Sequence, residues 1–180
     1  MGRPGDFDKA NMDKAPESRF KKFFIFVVGV LLVILMITYI FASYPISSII
    51  KGQLESTPLQ ENVLMLDDFS IYLENGTSEA LQDIYFAEQK VEFSVCMQGE
   101  KKGADYHIIS LYEPVMHEQS FAHVSFEPCS EDSLILLHSH PYKSCIASQT
   151  DMDTLEKTKQ RNPDVLMVVM CEPARFSVYD

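Results

Sequence analysis

Hydrophobic and polar positions follow three different rules along this chain. From Phe23 to Ser43 the sequence FFIFVVGVLLVILMITYIFAS runs 21 positions without a charge. At the rise of a helix that is roughly 30 Å, the hydrocarbon thickness of a bilayer, so it predicts a transmembrane helix. The rival reading is a cleaved signal peptide. Such a peptide has an apolar region of only about 7–15 residues, and its leading segment is shorter than the 22 residues found here. An uncleaved anchor is therefore preferred. From Thr77 to Gln89, Leu81, Ile84, Tyr85 and Glu88 recur at helical spacing behind an acidic first turn, which predicts a helix. In VEFSVCMQ the period falls to two. Val91, Phe93, Val95 and Met97 take one face and Glu92, Ser94, Cys96 and Gln98 the other, the pattern of a strand closed by Gly99. Further strands are expected over 105–113, 120–127 and 133–140, separated by turn-like segments. Thr150 can cap a second helix reaching Arg161, with Asp151 and Asp153 in its first turn. DVLMVVMC reads as a buried strand and RFSVYD as a last one.

The chain thus divides into a polar tail (1–22), expected to be disordered and cytoplasmic, the transmembrane helix (23–43), a linker (44–76) and a domain (77–180). Within the linker the stretch NVLMLDDFSIYLE is suited to docking on the domain. Helix, four strands, helix, two strands describe an α/β domain.

Charge adds orientation. Arg3, Lys9, Lys14, Arg19, Lys21 and Lys22 precede the apolar run, and Lys51 alone follows it before Lys90. The positive-inside tendency then predicts a single-pass protein with a cytoplasmic N-terminus and its domain outside. Residues 52–180 hold 22 acidic against 8 basic side chains, a formal charge of −14, which disfavours nucleic acid or anionic lipid as partner. The four cysteines lack C-x-x-C spacing, so a zinc knuckle is not expected. Outside the membrane they can form disulfides, with Cys129 and Cys145 one candidate pair, while Cys96 and Cys171 sit in apolar runs and read as small buried side chains. Asn75-Gly76-Thr77 fits a glycosylation sequon.

The chemistry concentrates in HSHPYKSCIASQTD, residues 138–151. Two histidines at i and i+2 of a strand share a face with Cα atoms roughly 6.5 Å apart, close enough for both imidazoles to meet one ion. Asp151 at a helix start can supply a third ligand. Three protein ligands leaving one position for water are the arrangement of a catalytic zinc. A carboxylate is then needed as general base, and Glu92, an acid in a strand of apolar neighbours, is the candidate. Each element alone has a plainer explanation: solvated histidines, a helix-dipole aspartate, an edge glutamate.

Together the residues resemble a known pattern. His138, His140, Ser148 and Asp151 spell His-x-His-x(7)-Ser-x-x-Asp, and Glu92 stands seven positions before Gly99. This is similar to the JAMM (MPN+) family of zinc isopeptidases over roughly residues 77–180. The resemblance implies a mixed sheet flanked by two helices, with zinc held by His138, His140 and Asp151 and a water in the fourth position. Glu92 would be general acid/base, and Ser148 would steady the oxyanion. Family members cut peptide or isopeptide bonds after the C-terminal glycine of ubiquitin or ubiquitin-like proteins. The expected function is therefore membrane-anchored, zinc-dependent hydrolysis at the C-terminal tail of a ubiquitin-like or other small protein. The alternatives are a non-catalytic membrane-tethered scaffold of the same fold and a structural zinc closed by Cys145 as fourth ligand.

Overall fold

The computed structural model describes residues 19–43, 46–121, 123–140 and 144–180. Residues 1–18, most of the expected tail, lie outside that set. The chain divides into two units, Met1–Pro45 and Ile46–Asp180. The first contains helix α1, Arg19–Ser43, which starts four residues before the expected span and is long and apolar enough to cross a membrane. Inside it, the Thr38 hydroxyl donates to the Leu35 carbonyl (2.9 Å), so this polar group is satisfied by its own helix.

The second unit runs α2 (Ile46–Glu55), β1 (Thr57–Pro58), β2 (Val63–Met65), β3 (Ser70–Leu73), α3 (Thr77–Ala87), β4 (Ser94–Lys102), β5 (Asp105–Tyr112), β6 (Met116–Gln119), β7 (Val124–Phe126), β8 (Ser133–Ser139), α4 (Gln149–Lys159), β9 (Leu166–Glu172) and β10 (Arg175–Tyr179). Eight strands form one mixed sheet in the order β1-β10-β9-β8-β4-β5-β3-β2, and β6 and β7 form a separate hairpin. The pairs β8–β9 and β3–β5 are parallel. The edge strands β1 and β2 are only four residues apart in the chain. Gln60 and Val63 exchange both backbone hydrogen bonds across a turn whose central residues, Glu61 and Asn62, have φ of 48° and 65°. A sheet whose two ends are joined by so short a turn has to curl until it almost closes.

Period two organises both faces. Ile135 and Leu137 of β8, Val95 and Met97 of β4, and Val168 and Met170 of β9 pack in the larger core, which α3 covers with Leu81. Leu136 of β8 and Met167 of β9 point the other way, into a smaller cluster with Leu155 of α4. Each such fully buried apolar side chain contributes about 1.5–3 kcal/mol of transfer free energy. This parity is what positions the site: residues 136, 138 and 140 share the α4 side of the sheet.

Several expectations are corrected. The supposed linker 44–76 supplies α2 and three strands of the sheet, so the folded unit begins at Ile46. Gly99 does not end β4. The strand continues to Lys102 through a bulge between Gln98 and Gly99, where a Cβ would sit 1.9 Å from the His107 carbonyl oxygen. Of the single strand expected over 120–127 only Val124–Phe126 is strand, β7, and it pairs as a hairpin with β6, which occupies Met116–Gln119 in a segment read as a turn. Ser148, not Thr150, caps α4. The disulfides are Cys96–Cys129 and Cys145–Cys171, not Cys129–Cys145.

The second disulfide fastens the loop before α4 to the end of β9, closing a sequence separation of 26 residues. Loop-closure entropy assigns such a crosslink roughly 3.5 kcal/mol. Converting both Cys145 and Cys171 to serine is expected to lower the melting temperature of the full chain by about 10 °C in a thermal scan.

Candidate metal centre

The centre is built on the βαβ unit β8–α4–β9, at the carboxyl end of β8 and the amino end of α4. Although β8 ends at Ser139, the backbone beyond it stays pinned on both sides. The Ser139 N–H donates to the Phe93 carbonyl (2.9 Å) and the His140 N–H to the Met170 carbonyl (3.0 Å). His138 and His140 therefore keep strand geometry and present both rings to α4. From α4, Asp151 comes to meet them. Its carboxylate accepts the Ser148 N–H (2.6 Å), while the Ser148 hydroxyl accepts the Asp151 N–H (3.3 Å), a reciprocal capping box. One feature thus both starts the helix and aims the carboxylate.

The three donor atoms face one point. His138 Nε2 lies 3.1 Å from His140 Nε2, and Asp151 Oδ2 lies 3.2 Å and 3.6 Å from these two nitrogens. Tetrahedral zinc with bonds of about 2.0–2.1 Å requires ligand-to-ligand edges of about 3.3 Å. The three observed edges bracket that value, so the donor set fits a small tetrahedral cation. The tautomer fits as well. His140 Nδ1 donates to the Ser144 carbonyl (3.1 Å), so in the neutral ring Nε2 is the nitrogen that faces the centre with a lone pair.

Electrostatics favour the ligand forms of two of the three groups. Burial lowers the His138 pKa and keeps its imidazole neutral. Burial alone would raise the Asp151 pKa, but hydrogen bonds from His138 and His140 hold it far below the usual carboxylate range. His140 is the exception: burial opposes its protonation, yet the Asp151 hydrogen bond and the Glu92 charge outweigh it and raise the pKa. A cation arriving here has to displace that proton.

Glu92 lies just before β4 rather than within it. The antiparallel register pairs Ser94 with His138, and the Phe93–Ser139 bonds continue it, so Glu92 falls opposite His140 and on the same face of the sheet. It is 9% exposed. Desolvation raises its pKa against the attraction of His140, with Asp151 repulsion adding to the rise. The Glu92 backbone is held by the hairpin: its N–H donates to the Ser120 carbonyl (2.8 Å) and its carbonyl accepts from the Gln119 amide (3.2 Å). Ser148 is exposed beside the centre, and a hydroxyl that accepts one N–H keeps its own proton to donate elsewhere. All five residues singled out in the sequence are thus gathered at one end of β8.

Cys145 cannot close the coordination sphere, because its sulfur is bonded to Cys171. Sequence reasoning missed the supports. Tyr179, at the end of β10, accepts the Ala147 N–H with its phenol oxygen (2.9 Å) and donates to the Cys145 carbonyl (3.4 Å), fixing the loop that carries Ser148. Ser144 offers only a main-chain oxygen to His140. Neither leaves a local signal, since each contact depends on chain folding back over the site. A scan against models of known protein families finds no match to this chain, and no curated protein matches its sequence.

Proposed function

We propose that this chain is a membrane-anchored, zinc-dependent metallopeptidase of the JAMM (MPN+) type, hydrolysing peptide or isopeptide bonds at the C-terminal tail of a ubiquitin-like or other small protein. The observation that carries the reading is the His138–His140–Asp151 triangle, whose edges of 3.1, 3.2 and 3.6 Å match a tetrahedral ion, with an acid of raised pKa beside it. Zinc held by these three residues would supply Lewis acidity and lower the pKa of a bound water to roughly 7. The chain's own residues do the rest. Glu92 takes a proton from the attacking water and returns it to the leaving amine, and its raised pKa suits both halves of that task. Ser148 donates a hydrogen bond from its hydroxyl to the oxygen that becomes negative, aided by the positive end of α4. Full-length protein in detergent, given zinc, is expected to cleave members of a panel of small proteins with extended C-terminal tails, to stop on chelation and to resume when zinc is restored. Absence of metal-dependent cleavage across the panel removes the peptidase reading.

The domain sits outside the cytoplasm in this proposal. Its two disulfides require an oxidising compartment, and the cations gathered before the apolar run 23–43 favour retention of that side in the cytoplasm. In sealed vesicles whose cytoplasmic face is outward, a C-terminal tag should survive added protease until detergent is present. Digestion without detergent reverses the topology.

A further inference from the structure

A groove of about 340 Å³ runs between α4 and the β6–β7 hairpin. Thr150, Thr154, Lys157 and Arg161 line one wall; Val124 and Phe126 of β7 line the other. Thr150, Thr154 and Lys157 fall at i, i+4 and i+7 of α4, and Arg161, in the turn just past the helix's end, continues the same stripe at i+11, roughly 16 Å from end to end. The stripe begins at Thr150, the immediate neighbour of Asp151, and His123 also lines the groove. One end of the groove therefore starts one residue from a candidate metal ligand.

Its charge runs against that of the domain. Residues 52–180 have only 8 basic side chains against 22 acidic ones, yet two of the 8, Lys157 and Arg161, stand at the far end of this groove. Both are exposed, and among the described residues no carboxylate forms an ion pair with either. Apart from His123 and Ser125, the rest of the lining is apolar side chains and threonines. An extended chain advances about 3.3 Å per residue, so roughly five residues fill the stripe.

We propose that this groove is the substrate channel of the same site, and that it selects an extended peptide segment that is apolar next to the scissile bond and acidic about five residues away. This deepens the peptidase reading and rests on it for the position of the bond, but not for the binding itself. The test therefore measures binding in the Glu92→Gln full-length chain, in detergent, with the metal removed. Two fluorescein-labelled peptides of roughly ten residues, twice the groove's span, share an apolar half and end in either a cluster of aspartates or a cluster of lysines. Fluorescence anisotropy is expected to give the acidic peptide a Kd about tenfold lower than the basic one, weakening with salt. Lys157→Glu combined with Arg161→Glu should invert the order while the thermal melt stays unchanged. Thr154→Tyr, which fills the groove without altering charge, should weaken both peptides. Equal affinities, no binding, or a preference that survives the double charge reversal overturns the proposal. So does loss of the acidic peptide to competing anionic lipid vesicles, which would make this a lipid-facing surface. Binding without cleavage in the zinc-loaded wild type leaves the groove standing and removes the peptidase reading.

Discussion

Replacing His138 by alanine is expected to reduce bound zinc from about one ion per chain to near none, with loss of all metal-dependent hydrolysis. The reason is geometric. His138 contributes to two of the three edges of the triangle, 3.1 Å to His140 and 3.2 Å to Asp151, and without it only the 3.6 Å edge remains. Removing an outer-shell partner already weakens metal sites by roughly 10–100-fold, so loss of a direct ligand should exceed that range. Metal analysis of the full chain, with a chelator-competition titration, reads the effect. His107→Ala is the control: this ring stacks on Tyr72 and bonds Glu74, away from the centre, and its loss should leave zinc content intact. The wild type should also show a pH dependence of defined sign. Since the His140 pKa is raised above its ordinary 6.5, the proton competes with the ion from above that pH, and apparent affinity falls as pH drops through it. Zinc retained at full stoichiometry by His138→Ala would place the ion elsewhere.

The parts of this site that local periodicity controls were legible in the sequence. Two histidines two apart at the end of an apolar run have to share a face, and the parity of Leu136 in the smaller cluster shows that this is the α4 face. Asp151 was readable both as a dipole aspartate and as a ligand, and it is both, because a carboxylate at the third helical position of a capping box lies at the mouth of the βαβ unit. Long-range pairing was not legible. The strands β1, β2 and β3 have two, three and four residues, too few to show alternation, and they are strands only because β1 pairs with β10, β3 with β5 and β2 with β3. Gly99 reads as a stop along the chain, whereas in the sheet it is the residue that lets His107 pass close by at a bulge. The cysteine pairing failed for the same reason. Cys96 and Cys171 sit in buried strands, and only their neighbours across the fold reveal that each meets a loop cysteine.

Glu92→Gln should separate metal binding from chemistry. The substitution keeps the side chain's size and removes its capacity to hold a proton, while the backbone anchors to Ser120 and Gln119 are main-chain atoms of residue 92 that the change leaves alone. The zinc ligands are three other residues, so metal content is expected to stay near one ion per chain. Turnover should fall by about 10²–10⁴-fold, the contribution of a positioned general base. The acid limb of the pH profile carries the sharper information. A base must be deprotonated to act, and burial raises the Glu92 pKa above its ordinary 4.5, so wild-type kcat/KM is expected to fall as pH drops through a value above 4.5. With zinc kept saturating against proton competition at His140, that limb should vanish from the residual rate of Glu92→Gln, because amide nitrogen does not titrate there. Retained zinc with unchanged turnover would assign the proton transfer to another group. Retained zinc with lost turnover and an unaltered acid limb would mean that the limb reports the ligands, above all His140, and that the carboxylate serves position rather than proton transfer.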